Sequence, residues 1–207
     1  MIHVILAEAE VELLPSTVKG RLPDVRILDS FLDGDMVRSL PDPRRRGRAD
    51  VAHSALLLLL SSEQFEHGHL RVWLHTRGDE VIEIGPRAQV QPNYLDFLVS
   101  LSALYDKGAL GEGEAKWSIE RHTTLDHLLS RLAVDAVLLL SPRGERIPLE
   151  ALLNELHHMD LAIVVGAFPE GDFPKDTYSL ADHVVSLSEK EMTVPSVICE
   201  LLSSLRH

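Results

Sequence analysis

The sequence predicts an α/β fold on a mixed, mostly parallel sheet, and two observations carry that expectation. From residue 134 onward strand-like and helix-like segments alternate: strand, helix, strand, irregular helix, strand, helix. The strands are continuous Val/Leu/Ile runs, the pattern of strands covered on both faces. Upstream, Leu70-Arg-Val-Trp-Leu-His75 and Glu80-Val-Ile-Glu-Ile84 flank Thr76-Arg-Gly-Asp79. Gly78-Asp79 is a turn signal, so the pair reads as a hairpin, which makes the sheet mixed. The 207 residues suffice for one sizeable core, and no linker or repeat divides them. The chain therefore reads as a single domain over 1–207, with a hairpin extension at about 70–84.

The elements follow in order. Met1-Ile-His-Val-Ile-Leu6 reads as a buried first strand, and Leu40-Pro-Asp-Pro-Arg-Arg-Arg-Gly47 as a surface loop. Asp50 is positioned to cap a helix whose apolar face is Val51, Ser54/Ala55, Leu58 and Leu59. Tyr94, Phe97, Leu98, Leu101 and Leu104 repeat with helical spacing after Pro92-Asn93. Residues 126–132 are helical, and residues 135–140 form a buried strand ending at Ser141-Pro142-Arg143-Gly144. A helix over 148–157 carries Pro148 in its first turn, where proline is tolerated. Ile163-Val-Val-Gly-Ala-Phe-Pro-Glu-Gly-Asp-Phe173 is an apolar run entering a loop with two glycines and a proline. His183-Val-Val-Ser-Leu187 is the last strand. A short polar loop then leads to a helix over 195–205, with Val197, Ile198, Leu201, Leu202 and Leu205 on one face. Strand, glycine loop, strand, loop, helix is how an open α/β sheet builds a ligand crevice at its carboxyl edge. G-x-G-x-x-G and P-loop spacings are absent, which argues against dinucleotide and nucleoside-triphosphate sites.

Bulk properties narrow the class. Apolar residues make up 45% of the chain, within the globular range. The longest apolar run, Ala55-Leu-Leu-Leu-Leu-Leu60, is too short to span a bilayer, and the N-terminus lacks the features of a signal peptide. The one cysteine, Cys199, allows no internal disulfide and no CxxC metal site, which fits a reducing cytoplasm. Set among Val197, Ile198, Leu201 and Leu202, it is expected to be a buried, inert thiol. His157-His158 has no third ligand at metal spacing, so no metal is assigned. Twenty Lys and Arg against 32 Asp and Glu give a charge of −12, which argues against nonspecific nucleic-acid binding over the whole surface. A local basic cluster remains at Arg44, Arg45, Arg46 and Arg48.

Four segments, taken together and in order, resemble one family. They are Arg46-Gly-Arg-Ala-Asp-Val-Ala-His53; Leu70-Arg-Val-Trp-Leu-His-Thr-Arg77 with Asp79-Glu-Val-Ile82; Val165-Gly-Ala-Phe-Pro-Glu-Gly-Asp-Phe173; and Val185-Ser-Leu-Ser188 before the last helix. The resemblance is to the Nep/Emg family, pseudouridine-N1 methyltransferases of small-subunit ribosomal RNA within the SPOUT superfamily, and it spans nearly the whole chain. It implies an α/β knot fold with a trefoil knot over about 134–207, a homodimer, and S-adenosyl-L-methionine as methyl donor. The implied partners are ribosomal RNA and, in ribosome assembly, ribosomal proteins. Matched residue by residue, the methyl-donor pocket falls on Leu140, Gly166, Gly171, Leu187, Ser188, Glu189, Lys190, Glu191 and Met192. The family's RNA-contacting arginine and the aspartate that orients it match Arg48 and Asp50, expected as the catalytic pair. Arg44, Arg45, Arg46, Arg48 and Gln89 make up the expected RNA face.

The chain also departs from the family pattern. Where the family reads R-I-P-R-x-(Y/F)-x-R-F, this sequence has Gln89-Val-Gln-Pro-Asn-Tyr-Leu-Asp-Phe97. Gln89, Pro92 and Asp96 replace arginines, Ala49 replaces a proline, and Arg87 lies nearby as a substitute. Lost phosphate contacts weaken RNA affinity by orders of magnitude at physiological salt. The departures keep two alternatives open: a non-catalytic assembly factor with a retained methyl-donor pocket, or a methyltransferase with a different RNA target. No covalent nucleophile is required. Asp50, paired with Arg48, is a poor general base, and His53 one turn on serves either as a base or as a structural residue.

Overall fold

The protein is seen in a computed structural model that describes residues 1–15, 18 and 20–205. The first strand, β1 (Ile2–Ala9), is apolar on both faces, with Val4 and Leu6 buried on one side and Ile5 and Ala7 on the other. After α1 (Gly34–Ser39) come α2 (Ala49–Leu60) and α3 (Glu63–Glu66), then the hairpin β2 (Leu70–Thr76) and β3 (Glu80–Ile84). α4 (Tyr94–Lys107) leads to β4 (Ala109–Leu110), β5 (Trp117–Arg121) and α5 (Leu125–Leu132). The C-terminal part alternates as expected: β6 (Ala136–Glu145), α6 (Leu149–Glu155), β7 (Leu161–Gly166), α7 (Lys175–Tyr178), β8 (His183–Val185) and α8 (Val194–Ser204).

All eight strands form one sheet in the order β4-β5-β3-β2-β1-β7-β6-β8. Strands β2, β1, β7, β6 and β8 run parallel; β3, β5 and β4 add antiparallel pairs at one edge. Helices α2, α4, α6 and α8 cover the Val4/Leu6 face. Leu125, Leu128 and Leu129 of α5, with Phe173, cover the Ile5/Ala7 face. This two-sided cover is why the parallel strands read as unbroken apolar runs.

Local signals set the helix ends. The Asn93 side chain accepts the Leu95 and Asp96 N–H groups at 2.9 and 3.3 Å and starts α4. Gly108, at φ 78°, stops it. Thr124 caps α5 and Thr193 caps α8.

Several expectations are corrected. Asp50 does not cap α2: it lies inside the first turn, and both its oxygens are taken by Arg48. The strand expected to end at residue 140 continues through Ser141-Pro142-Arg143-Gly144 to Glu145, because the chain bulges around the end of β8. The helix expected over 148–157 is α6, which stops at Glu155, and the last helix is shifted one residue towards the N-terminus. Cys199 is exposed, not buried. Ile198 and Leu201 point α8 into the core, and the next position along, Cys199, is rotated about 100° off that face. The edge strands β4 and β5 have no counterpart in the sequence reading. β5 alternates weakly and is at most half-buried, so its apolar signal is faint.

The bulge in β6 is a tight crossing. Leu140 and Glu145 both pair with Val185, and the Ser186 N–H donates to the Glu145 carbonyl at 2.9 Å. A Cβ on Gly144 would lie 2.5 Å from the backbone of Val185. Gly144→Ala should therefore destabilise the fold by about 2–3 kcal/mol, the cost of overpacking against rigid main chain. Denaturant unfolding of the variant against the wild type measures this.

Candidate active site

A crevice opens at the carboxyl edge of the parallel strands. Register puts Leu140 beside Val165 and Val185, and Gly166 beside Ala7, so β6, β7, β8 and β1 end at one level. Of the nine methyl-donor residues expected from the sequence, all but Glu189 line this crevice. The Glu189 carboxylate lies 3.3 Å from Arg146 and is well exposed. The apolar walls are Leu140, Val165, Leu187, Met192 and Val197.

The glycine loop supplies the rest. A Cβ on Gly166 would strike the Phe168 ring at 2.6 Å, so glycine is what lets Phe168 fold back over the strand end. Gly171, at φ 90°, turns the loop in a conformation unsuited to residues with a Cβ, and a Cβ there would meet Arg45 Nη1 at 3.8 Å. Phe168 meets Phe173 edge-on at 5.2 Å, and Phe173 meets Tyr178 edge-on at 6.5 Å. Along the polar wall the Tyr178 hydroxyl donates to Asp172 at 2.6 Å and accepts from Ser141 at 2.6 Å. Burial and the Asp172 carboxylate push the tyrosine hydroxyl above its usual range. Asp172 also pairs with Arg143 at 2.5 Å. Ser141, Phe168, Asp172 and Phe173 were not singled out as pocket residues by the sequence. The signal available for the two phenylalanines was their place in the glycine loop.

The basic cluster is less uniform than its composition implies. Arg46 makes a two-pronged pair with Glu12. Arg45 Nε donates to Glu10 at 2.7 Å, and its guanidinium lies over the Phe168 ring, 4.3 Å from the centroid. Glu10 is only 1% exposed. Burial lifts its carboxyl above the ordinary range, against the pull of Arg45 and Arg77. Its second oxygen has only Arg77, at 3.5 Å. Among the described residues, Arg44 alone of the four is exposed with no paired carboxylate.

Arg48 makes a bidentate pair with Asp50, Nε and Nη2 each donating at 2.8 Å. That bond, followed by the nearby Tyr94 and Asp29 groups, reinforces the cation. The fork leaves three N–H donors of Arg48 for another acceptor. Beside it the Tyr94 hydroxyl donates to buried Asp29 at 2.5 Å. His53 is structural: its Nε2–H donates to the Gln91 carbonyl at 2.7 Å, and its ring stacks on Phe97 at 4.6 Å. Gln89 is exposed at the mouth of a second cavity beside α4, and Arg87 is paired with Glu114 at 2.7 Å.

A crevice of glycine loop and strand ends, with β6 bulging closely around the end of β8, is the arrangement expected of an α/β knot methyltransferase of the SPOUT class. The chain belongs to the EMG1/NEP1 methyltransferase family, whose model matches residues 4–206. It is similar to the ribosomal RNA small subunit methyltransferase Nep1 of Methanothrix thermoacetophila, 33% identical over 214 residues that cover 98% of this chain and 94% of that protein. It is likewise similar to the Nep1 of Thermococcus kodakarensis, 35% identical over 215 residues covering 98% and 96%. Among solved structures, Archaeoglobus fulgidus Nep1 bound to S-adenosylhomocysteine matches with a TM-score of 0.81 at 26% identity, over 98% of this chain and 95% of that one.

Arg45 joins the arginine loop to the crevice wall. Arg45→Ala should cost about 3 kcal/mol, because it leaves the buried Glu10 carboxyl without its short partner. The cost should shrink in a Glu10→Gln background, as a double-mutant cycle by chemical unfolding would show.

Proposed function

We propose that this chain transfers a methyl group from S-adenosyl-L-methionine to N1 of a pseudouridine in small-subunit ribosomal RNA, working as a cytoplasmic homodimer. The observation that carries the reading is that the expected methyl-donor segments, distant in sequence, line one crevice. The A. fulgidus protein of the same fold holds the demethylated product of that donor. The relatives' names give the substrate class. The residues fit the ligand: apolar side chains suit an adenine face, and Gly171 adds no side chain to the lining.

When bound, S-adenosyl-L-methionine supplies an electrophilic methyl group on a sulfonium. The transfer exchanges the S–CH3 bond for an N1–CH3 bond, and the N1 proton is released to solvent water. The chain's part is positioning. Arg48, its rotamer held by Asp50, presents its free N–H donors to a phosphate or a uracil-type carbonyl. Asp50, committed to that pair, orients the fork and does not take the proton.

Gly171→Val forces a side chain onto a backbone at φ 90° and should weaken S-adenosyl-L-methionine binding about tenfold or more. Arg48→Ala should abolish methyl transfer to a pseudouridine stem-loop and leave donor affinity nearly unchanged. Calorimetry and mass spectrometry of the RNA separate these effects; equal turnover by Arg48→Ala would refute the assignment. On assembly, Val197, Leu202 and Leu205 stay half-buried at the rim of α8 while Ile198 and Leu201 fill the core, which leaves an apolar edge for a second subunit. Light scattering should return twice the 23.1 kDa chain mass; a monomer at micromolar concentration would rule the dimer out.

A further inference from the structure

We propose that Phe31 is a stacking platform for an unpaired RNA base beside the Arg48 site, an inference that rests on the RNA-methyltransferase reading above. Phe31 is 88% exposed, the most exposed large apolar side chain among the described residues. Such exposure is ordinary on a floppy loop, but this loop is pinned from three directions. Buried Asp29 accepts the N–H groups of Phe31 and Leu32 at 3.0 and 2.9 Å. Its other oxygen accepts the Tyr94 hydroxyl at 2.5 Å, which ties the loop to α4. The Ser30 N–H donates to the Gly47 carbonyl at 2.8 Å, one residue before Arg48. Gly47, at φ 64°, is needed for that contact: a Cβ there would lie 2.8 Å from the Ser30 nitrogen. The molecule thus holds a bare aromatic ring on a braced turn that leans on the arginine loop.

Charge decides the partner. The protein carries −12 overall, yet the loop next to Phe31 holds exposed Arg44 and the partly free fork of Arg48. A polyanion with exposed apolar faces fits that pairing, and an unpaired RNA segment has both. Stacking also suits this chain in particular. Gln89, Pro92 and Asp96 stand where the resemblance places phosphate-binding arginines, and Arg45 and Arg46 are consumed by Glu10 and Glu12. Base stacking on an aromatic ring adds affinity without a cation and tolerates any base.

The test uses the full-length protein and a fluorescein-labelled stem-loop with pseudouridine in its loop, titrated at several salt concentrations. Phe31→Ala should weaken RNA binding roughly tenfold, with the salt slope of the wild type retained because no phosphate contact is lost. S-Adenosyl-L-methionine affinity and oligomeric state should not change. Phe31→Trp should restore affinity, and its added indole emission should be quenched by RNA, a signal absent for Trp73 and Trp117 in the wild type. RNA binding by Phe31→Ala equal to wild type overturns the proposal. So does loss of the oligomer in Phe31→Ala, which would make Phe31 a contact with a second copy. A wild-type chain that binds S-adenosyl-L-methionine but not the stem-loop fails at the earlier step: it overturns the RNA reading, and the platform with it.

Discussion

The structure depends on the common register of four parallel strands. Leu140 of β6 meets Val165 of β7 and Val185 of β8, and Ala7 of β1 meets Gly166. Backbone hydrogen bonding between these strands sets where they stop, so the segments that follow leave the sheet side by side. A one-residue slip would reverse the faces of a strand and carry its loop away from the others. The two-sided apolar cover of β1, β6 and β7 prevents such a slip, because any shift exchanges residues between two packed layers of helices.

On that frame the glycines perform distinct tasks. Gly144 lets β6 pass against the end of β8, Gly166 lets Phe168 fold over the strand end, and Gly47 lets the arginine loop touch the turn that carries Phe31. In each case main chain or a ring occupies the volume of a Cβ. The crevice and the basic loop meet at one point. Arg45, bound to Glu10 and lying over Phe168, is the direct link between them.

The charge pattern gains a different meaning in three dimensions. Four arginines in five positions read as a cationic patch. The fold spends two of them on Glu10 and Glu12, carboxylates that follow β1, and one on Asp50. These pairs order the loop and hold specific guanidinium orientations, at the expense of net positive charge. The surface is therefore better suited to oriented recognition of one nucleotide than to nonspecific attraction along a phosphate backbone.

The α/β class, the hairpin, the C-terminal alternation and the glycine loop were legible in the sequence, because burial on two faces and turn chemistry leave local traces in residue order. The resemblance of four ordered segments carried the family and eight of the residues that line the crevice. Other features left no local trace. The continuation of β6 past Pro142 depends on β8 lying alongside, more than forty residues away. Asp50 reads as a cap from its position, but Arg48 claims it through a side-chain rotamer that spacing does not encode. Cys199 sits amid apolar neighbours in sequence, yet one step of helical rotation turns it to solvent. The capture of Arg45 by Glu10, the packing of Arg45 over Phe168 and the bracing of the Phe31 turn by Tyr94 and Gly47 all join residues far apart in the chain. The sequence by itself determined the long, strongly patterned strands and helices and the hairpin turn, since those follow from periodicity and backbone preference. Only the tertiary structure decided which charges are paired, which rings are bare and which loops meet, because these depend on distances that exist only after the sheet has brought its strands into register.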